Sequence, residues 1–224
     1  MSARPLRPHV VVVGAGFAGL AAARHLAKAG AWVTLVERNR HTTFQPLLYQ
    51  VATAGLNPGD ISYPLRSFAA KYPRMRVKRS TVGKLRLDER RVELVDGSLD
   101  YDYLVLATGV TTNWLGVPGA RRHALPMYTV RDAVAVRERL ITSLEELAAG
   151  RRGGCHVVIV GGGATGVEMA GTLAELRNRL LPLTHPEVPL SATSVTVVER
   201  FDHVLHPFLP ELRTAAERAL AERG

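Results

Sequence analysis

Residues 9–38 read HVVVVGAGFAGLAAARHLAKAGAWVTLVER, and this stretch decides the fold. Val10–Val13 are an unbroken β-branched run, which predicts a central parallel strand buried on both faces. Gly14-Ala15-Gly16-Phe17-Ala18-Gly19 follows at once and matches G-x-G-x-x-G. Leu20, Ala23, Leu26 and Ala27 then recur at helical spacing up to Gly30, a C-terminal stop. Trp32–Val36 is a second strand and leads into Glu37.

Each residue type in this unit has a physical role. Gly14 allows a tight strand-to-helix turn, Gly16 leaves room for a pyrophosphate near the backbone, and Gly19 lets helix and strand approach closely. The helix start offers backbone N–H groups and a positive dipole end to phosphate. Glu37 stands where a carboxylate accepts ribose hydroxyls, about 20 residues past the first glycine. Its charge would repel a 2′-phosphate. Strand, glycines, helix, second strand and acid together point to a bound dinucleotide.

The pattern occurs twice. His156–Val160 is an apolar β-branched strand, and Gly161-Gly162-Gly163-Ala164-Thr165-Gly166 is a second G-x-G-x-x-G. Val167–Leu181 reads as a helix with Leu173, Leu176 and Leu180 on one face. A proline-bearing excursion, Pro182–Ser191, precedes the strand Val195–Val198, which ends on Glu199. The excursion explains why the second acid lies further from its glycines than the first. Two fingerprints with two strand-end acids make an internal repeat of dinucleotide sites.

Between the repeats, Arg38–Gln50 and the residues to Ser62 read as an irregular, unusually apolar loop carrying Phe44, Leu47, Leu48, Tyr49 and Val51. Pro64–Tyr72 is a short helix candidate. Met75–Val95 alternates apolar and polar residues, and Asp88-Glu89-Arg90 and Asp96-Gly97 mark turns, so a small antiparallel meander is expected here. Tyr103–Ala107 reads as another buried parallel strand, closed by Thr108-Gly109. Thr129–Ala149 reads as an amphipathic helix opened by Thr129 or Asp132. The expected fold is α/β, with two tandem Rossmann-like units on parallel sheets and an antiparallel meander in the first. The expected domains are residues 1–118 and 119–224, the second incomplete.

Composition sets the outer bounds. The 224 residues have room for one large or two small domains, and 46% hydrophobic with 22% charged residues suits a globular protein. The formal charge of +9 leaves nucleic acid, an anionic membrane surface and acidic ligands open. The basic residues form no block and alternate with no aromatic platform, so nucleic acid is not expected as a partner. Arg4 and Arg7 before an apolar run imitate a secretory signal, but the strand-glycine-helix pattern accounts for the same residues. No apolar run is long enough to span a bilayer. No residue is assigned to a metal. A single cysteine, Cys155, excludes a disulfide framework and any CxxC redox pair.

Two dinucleotide sites imply a tightly held FAD and an exchangeable NADH, with a hydride passing from one to the other. The first site, with its apolar loop, suits the flavin. Without a cysteine pair the flavin must hand its electrons directly to a quinone, to oxygen or to a protein partner.

The run FQPLLYQVATAGL (Phe44–Leu56), the strand end Leu106–Gly109 and GGGATGVEMAGTLAEL (Gly161–Leu176) resemble bacterial type II NADH dehydrogenases, non-pumping NADH:quinone oxidoreductases. On that resemblance Gly14, Ala15, Gly16, Phe17, Ala18, Gly19, Glu37 and Arg38 would hold the adenosine end and pyrophosphate of FAD. Val82 would hold the adenine through its backbone, Ala107, Thr108 and Gly109 would lie near the flavin pyrophosphate, and Gln45 and Pro46 would line the flavin and quinone region. Gly161, Gly163, Ala164, Thr165, Gly166 and Glu199 would bind NADH. Glu168 would serve as a proton relay or orienting group; otherwise it is an acid stabilised near a helix start. The resemblance also implies a peripheral place on the inner face of the cell membrane.

Such enzymes continue well past the point matching Gly224, so the resemblance implies a truncated product, a fragment or half of a split enzyme. The expected partners then include a homodimer mate or a complementing C-terminal chain. A strand edge left unpaired predicts marginal stability. The rival readings are another FAD/NAD(P)H reductase with a protein acceptor, an inactive FAD-binding fragment, and a nucleic-acid binder resting on charge alone.

Overall fold

The fold is taken from a computed structural model that describes residues 7–224, so Arg4 lies outside the described residues. The chain begins with β1 (His9–Val13), α1 (Phe17–Lys28), β2 (Trp32–Glu37) and β3 (His41–Thr43). A 3₁₀ turn (Gln45–Leu47) runs into α2 (Leu48–Ala52), followed by β4 (Ser62–Pro64), α3 (Leu65–Ala69) and β5 (Met75–Arg79). Next come β6 (Val82–Arg86), β7 (Arg91–Leu94), β8 (Gly97–Asp100), β9 (Tyr103–Leu106) and the short α4 (Ala120–His123). The remainder is α5 (Val130–Ala148), β10 (Cys155–Val160), α6 (Ala164–Glu175), α7 (Leu181–Thr184), β11 (Thr193–Val198) and α8 (Pro210–Ala221).

The chain forms two compact units. One comprises the residues up to Thr43 with Ser62–Thr111, the other Phe44–Ile61 with Thr112–Gly224. This division departs from a single cut at 118/119. Residues 44–61 leave the first unit between β3 and β4, whose antiparallel pairing (Thr43 opposite Ser62) closes the excursion at its base. The stretch expected to be an irregular loop is therefore a hairpin strand, a 3₁₀ turn and a helix. Its apolar residues supply core: Leu48, Val51, Ala52 and Ile61 cluster with Ala133, Met169 and Leu173.

In the first unit, four parallel strands lie in the order β5-β2-β1-β9. Because side chains alternate along a strand, the β1 valines divide between two cores. Val10 and Val12 pack with Ala23 and Ala27 of α1 and Leu65 of α3. Val11 and Val13 pack with Val92 and Leu94 of β7. Hence all four valines are nearly fully buried, each worth roughly 1.5–3 kcal/mol. The antiparallel meander β6-β7-β8 covers the second face. Met75–Arg79 belongs to the parallel sheet, not the meander: its backbone pairs with β2, and the meander begins only at Val82. β9 is parallel as expected but not buried. It is the sheet edge, with Tyr103 64% and Leu106 56% exposed.

In the second unit β10 and β11 pair in parallel, Cys155 opposite Thr193 through Val160 opposite Val198. α5 starts at a capping box: the Asp132 N–H donates to Thr129 Oγ1, and the Thr129 N–H donates to Asp132 Oδ2. The helix expected over Val167–Leu181 starts at Ala164 and passes through a π-helical stretch, Leu176–Leu180, into α7. Among the described residues no helix is long and apolar enough to cross a membrane.

Candidate dinucleotide sites

At the C-terminal end of β1 the chain turns through Gly14 at φ +99°, a region costly for any residue with a Cβ. A Cβ there would also lie 2.2 Å from the carbonyl oxygen of Ala107, just past the end of β9. The Gly14 N–H donates to the Val36 carbonyl at 2.9 Å, locking the turn onto β2. Gly16 is the N-cap of α1. Gly19 faces the turn from inside the helix, where a Cβ would stand 1.9 Å from the Gly14 carbonyl oxygen.

The acid at the end of β2 is drawn into the same turn. Glu37 Oε2 accepts from the Ala15 N–H at 2.9 Å, and Oε1 accepts from the Asn39 N–H and Nδ2. Three of its roughly four acceptor positions are thus used, leaving one for a ribose hydroxyl until the Asn39 amide turns away. Sequence reasoning missed Asn39; its signal is an Asn two residues after the strand-end acid.

The second unit repeats the core of this geometry, with different partners for the second carboxylate oxygen. Gly161 has φ +109° and donates to the Val198 carbonyl at 2.8 Å. Gly163 is the N-cap of α6, and a Cβ on Gly166 would lie 1.9 Å from the Gly161 carbonyl oxygen. Glu199 Oε2 accepts from the Gly162 N–H at 2.6 Å, and Oε1 accepts from the N–H groups of Arg200 and Phe201. These bonds, led by that from Gly162, hold the Glu199 carboxyl below the usual carboxylate range. Four residues around this second turn escaped the sequence reading. The Leu205 N–H donates to the Gly162 carbonyl, and Phe201 stacks on His206 at 4.1 Å beneath the Arg200 guanidinium.

Both turns fit a dinucleotide pyrophosphate. A Cβ on Gly16 or on Gly163 would meet nothing within 4 Å, so each helix start faces open space bordered by backbone. Phe17 and Ala18 form the first turn of α1, Ala164 and Thr165 that of α6. Thr108 and Gly109 follow Ala107 past the end of β9, with Gly109 at φ +70°. Val82 opens β6, two residues after Ser80, whose N–H donates to the Glu37 carbonyl. Arg38 follows the acid, and its carbonyl accepts from Arg79 Nε at 3.4 Å.

Three candidates lie outside the glycine motifs. Gln45 and Pro46 lie in the 3₁₀ turn of the second compact unit, with Gln45 Nε2 donating to the Tyr128 carbonyl at 3.4 Å. Glu168 lies on α6 beyond the glycines, where partial burial pushes its carboxyl above the usual range.

Known proteins resemble this chain over nearly its whole length. The chain is 34% identical over 223 residues to the type II NADH:quinone oxidoreductase NdhA of Mycobacterium tuberculosis, covering 96% of this chain and 47% of that one. It is 30% identical to the Staphylococcus aureus type II NADH:quinone oxidoreductase, covering 97% and 55%. The chain thus spans about half the length of the curated relatives it matches. The solved structure of NDH2 from Plasmodium falciparum in complex with NADH shares the fold, with a TM-score of 0.88 at 20% identity, covering 97% of this chain and 47% of that one. The family model for pyridine nucleotide-disulphide oxidoreductases matches residues 8–224, nearly the whole chain. With two glycine turns, two strand-end acids and that match, the chain belongs to the pyridine nucleotide-disulphide oxidoreductase family.

Proposed function

We propose that the chain carries the FAD and NADH sites of a flavin-dependent NADH:quinone oxidoreductase that works at the inner face of the cell membrane. The observation that carries this reading is the duplicated turn. In each unit a strand-end carboxylate is hydrogen-bonded to the backbone of a G-x-G-x-x-G loop that opens onto a helix start. The likeness to type II enzymes supports NADH as donor and quinone as acceptor.

In this reading Gly14–Gly19, Glu37, Arg38 and Thr108–Gly109 hold FAD, with the Val82 backbone at the adenine. Gly161, Gly163–Gly166 and Glu199 hold NADH. When bound, FAD supplies a centre that accepts a hydride and releases electrons to a quinone. The residues of the chain do the rest. The helix starts bind pyrophosphate, and Glu37 and Glu199 take ribose hydroxyls and disfavour a 2′-phosphate. Glu168, whose carboxyl desolvation pushes above the usual range, serves as a proton relay or orienting group beside the nicotinamide. Gln45 and Pro46 line the flavin and quinone region.

The test is the absorbance spectrum of the purified chain, followed anaerobically through addition of NADH and then of a short-chain quinone. Flavin bands that bleach with NADH and return with quinone are expected. Bands that ignore NADH, or that return only with a protein acceptor, would refute the assignment. In the Glu168→Gln variant the limb of the pH–rate profile due to this carboxyl should vanish while flavin content is unchanged; an identical profile removes Glu168 from the reaction.

A further inference from the structure

We propose that Arg200 positions the adenine of the dinucleotide held at the second turn. The base lies flat on the Arg200 guanidinium, which Phe201 and His206 back. This rests on the reading of that turn as the NADH site and adds the group that holds the base. The glycines serve the pyrophosphate and Glu199 the ribose, and neither offers a flat surface to a purine.

The sequence runs acid, cation, aromatic in Glu199-Arg200-Phe201, with His206 five residues on, and the backbone folds that order into layers. Glu199 Oε1 accepts from the Arg200 and Phe201 N–H groups at 2.6 and 3.2 Å, so the chain turns round the carboxylate. Leu205, at φ +53°, bends the chain back, and its N–H donates to the Gly162 carbonyl at 2.7 Å. Val204 closes on the same turn: its Cγ1 stands 2.9 Å from where a Cβ on Gly162 would be. His203 Nδ1 lies 3.0 Å from Glu217 Oε1, which ties the loop to α8. His206 is thereby brought against Phe201, with ring centroids 4.1 Å apart and planes 10° from parallel. The Arg200 guanidinium carbon lies 4.7 Å from the centroid of the same phenyl ring.

A planar guanidinium laid over an aromatic ring keeps a second face for another flat group. Arg200 is exposed, and among the described residues its side chain makes no hydrogen bond or ion pair. Phe201 is itself 44% exposed, a large ring kept at the surface beside the acid. In a nucleotide the base hangs from the ribose carbon next to the 2′-hydroxyl. A carboxylate that takes this hydroxyl therefore sets the base beside the residues that follow it in the chain. Bases stack on aromatic and arginine planes without needing a hydrogen-bond partner, and a stack already fixed by its own loop costs little further ordering. A cation here would serve a 2′-phosphate by its charge, whereas adenine needs the plane, and substitution separates the two.

The test is calorimetric binding of ADP-ribose to the 224-residue chain, with FAD in excess to occupy the first turn. ADP-ribose carries no nicotinamide, so the result does not depend on hydride transfer. Arg200→Lys keeps the charge and loses the plane, and should bind ADP-ribose about tenfold more weakly. Arg200→Phe keeps the plane and loses the charge, and should stay within about threefold of wild type; Arg200→Tyr serves the same arm if the phenylalanine variant does not fold. Phe201→Leu, which removes the backing, should lose about as much as Arg200→Lys. The proposal falls if ADP-ribose does not bind, if Arg200→Lys binds like wild type, or if Arg200→Phe binds as weakly as Arg200→Lys. An unchanged flavin spectrum on adding NADH, with the ADP-ribose pattern as expected, overturns the function proposed above and upholds the stack. The reverse result overturns the stack alone.

Discussion

Replacing Gly19 by alanine pits helix propensity against close packing, and the distances say which wins. Alanine inside a helix gains about 1 kcal/mol over glycine. The added methyl would stand 1.9 Å from the Gly14 carbonyl oxygen and 2.9 Å from its carbon, both backbone atoms of a turn pinned to β2. No rotamer can relieve that overlap, and reaching an ordinary contact of 3.4 Å requires the helix start to move by about 1.5 Å. Overpacking of this kind costs roughly 1–3 kcal/mol and occasionally more. With backbone on both sides the cost belongs at the upper end, so the net loss is about 2 kcal/mol. For a chain of this size that lowers Tm by roughly 4–8 °C. Gly16→Ala is the control, because its methyl enters open space and should move Tm by less than about 2 °C, a typical N-cap effect. Its methyl, however, occupies the approach of the pyrophosphate, so the purified variant should lose its flavin. Circular dichroism melts with flavin absorbance after gel filtration give both readings. A Gly19→Ala protein that melts with the wild type, or a Gly16→Ala protein that keeps its flavin, would refute this account of the turn.

Other outcomes follow from the same structure. Glu199→Gln removes the charge that would repel a 2′-phosphate while keeping a hydrogen-bonding oxygen, so the preference for NADH over NADPH should fall roughly tenfold in a titration of flavin bleaching. The folded-state pKa of Glu199 lies below its ordinary value of 4.5, so its contribution to stability is complete above that value and is lost as pH falls through the folded pKa. The Glu199→Gln variant should accordingly be less stable than wild type near neutrality, with urea midpoints converging in acid; parallel midpoints at every pH would contradict this. Thr129→Ala breaks the capping box of α5 and should cost about 1 kcal/mol, read as a lower urea midpoint with unchanged slope.

Where a local pattern carried its own physics, the sequence was readable. Val10–Val13, both glycine turns and the Thr129 cap all follow from residue type and spacing, and the structure builds them as read. The two acids were legible by position, yet the Asn39 amide and the Arg200 and Phe201 N–H groups that orient them depend on turns no periodicity encodes. The failures involve choice of partner. Met75–Arg79 alternates like a meander strand but pairs with β2 because it follows α3 as a crossover would. Tyr103–Leu106 has the composition of a buried strand but lies at the sheet edge, and edge or centre is decided by the rest of the sheet. Phe44–Ile61 looked like a loop because Pro46, Gly55 and Pro58 break its pattern. The core that its apolar residues complete is built from α5 and α6, more than 70 residues away in sequence.

That detour has a consequence for biosynthesis. Leu48, Val51 and Ala52 leave the ribosome long before Ala133, Met169 and Leu173, the residues that will cover them. The β3–β4 ladder and the whole parallel sheet can form in the meantime, so a nearly finished first unit holds out a greasy finger awaiting its glove. At roughly 5–20 residues per second, the roughly 120 residues from Ala52 to Leu173 leave it uncovered for about 6–24 seconds. During that interval the nascent chain is most exposed to aggregation and to chaperone capture. No single peptide bond can be cut to give two whole units, since residues 112–224 expressed alone would lack the helix that completes their core.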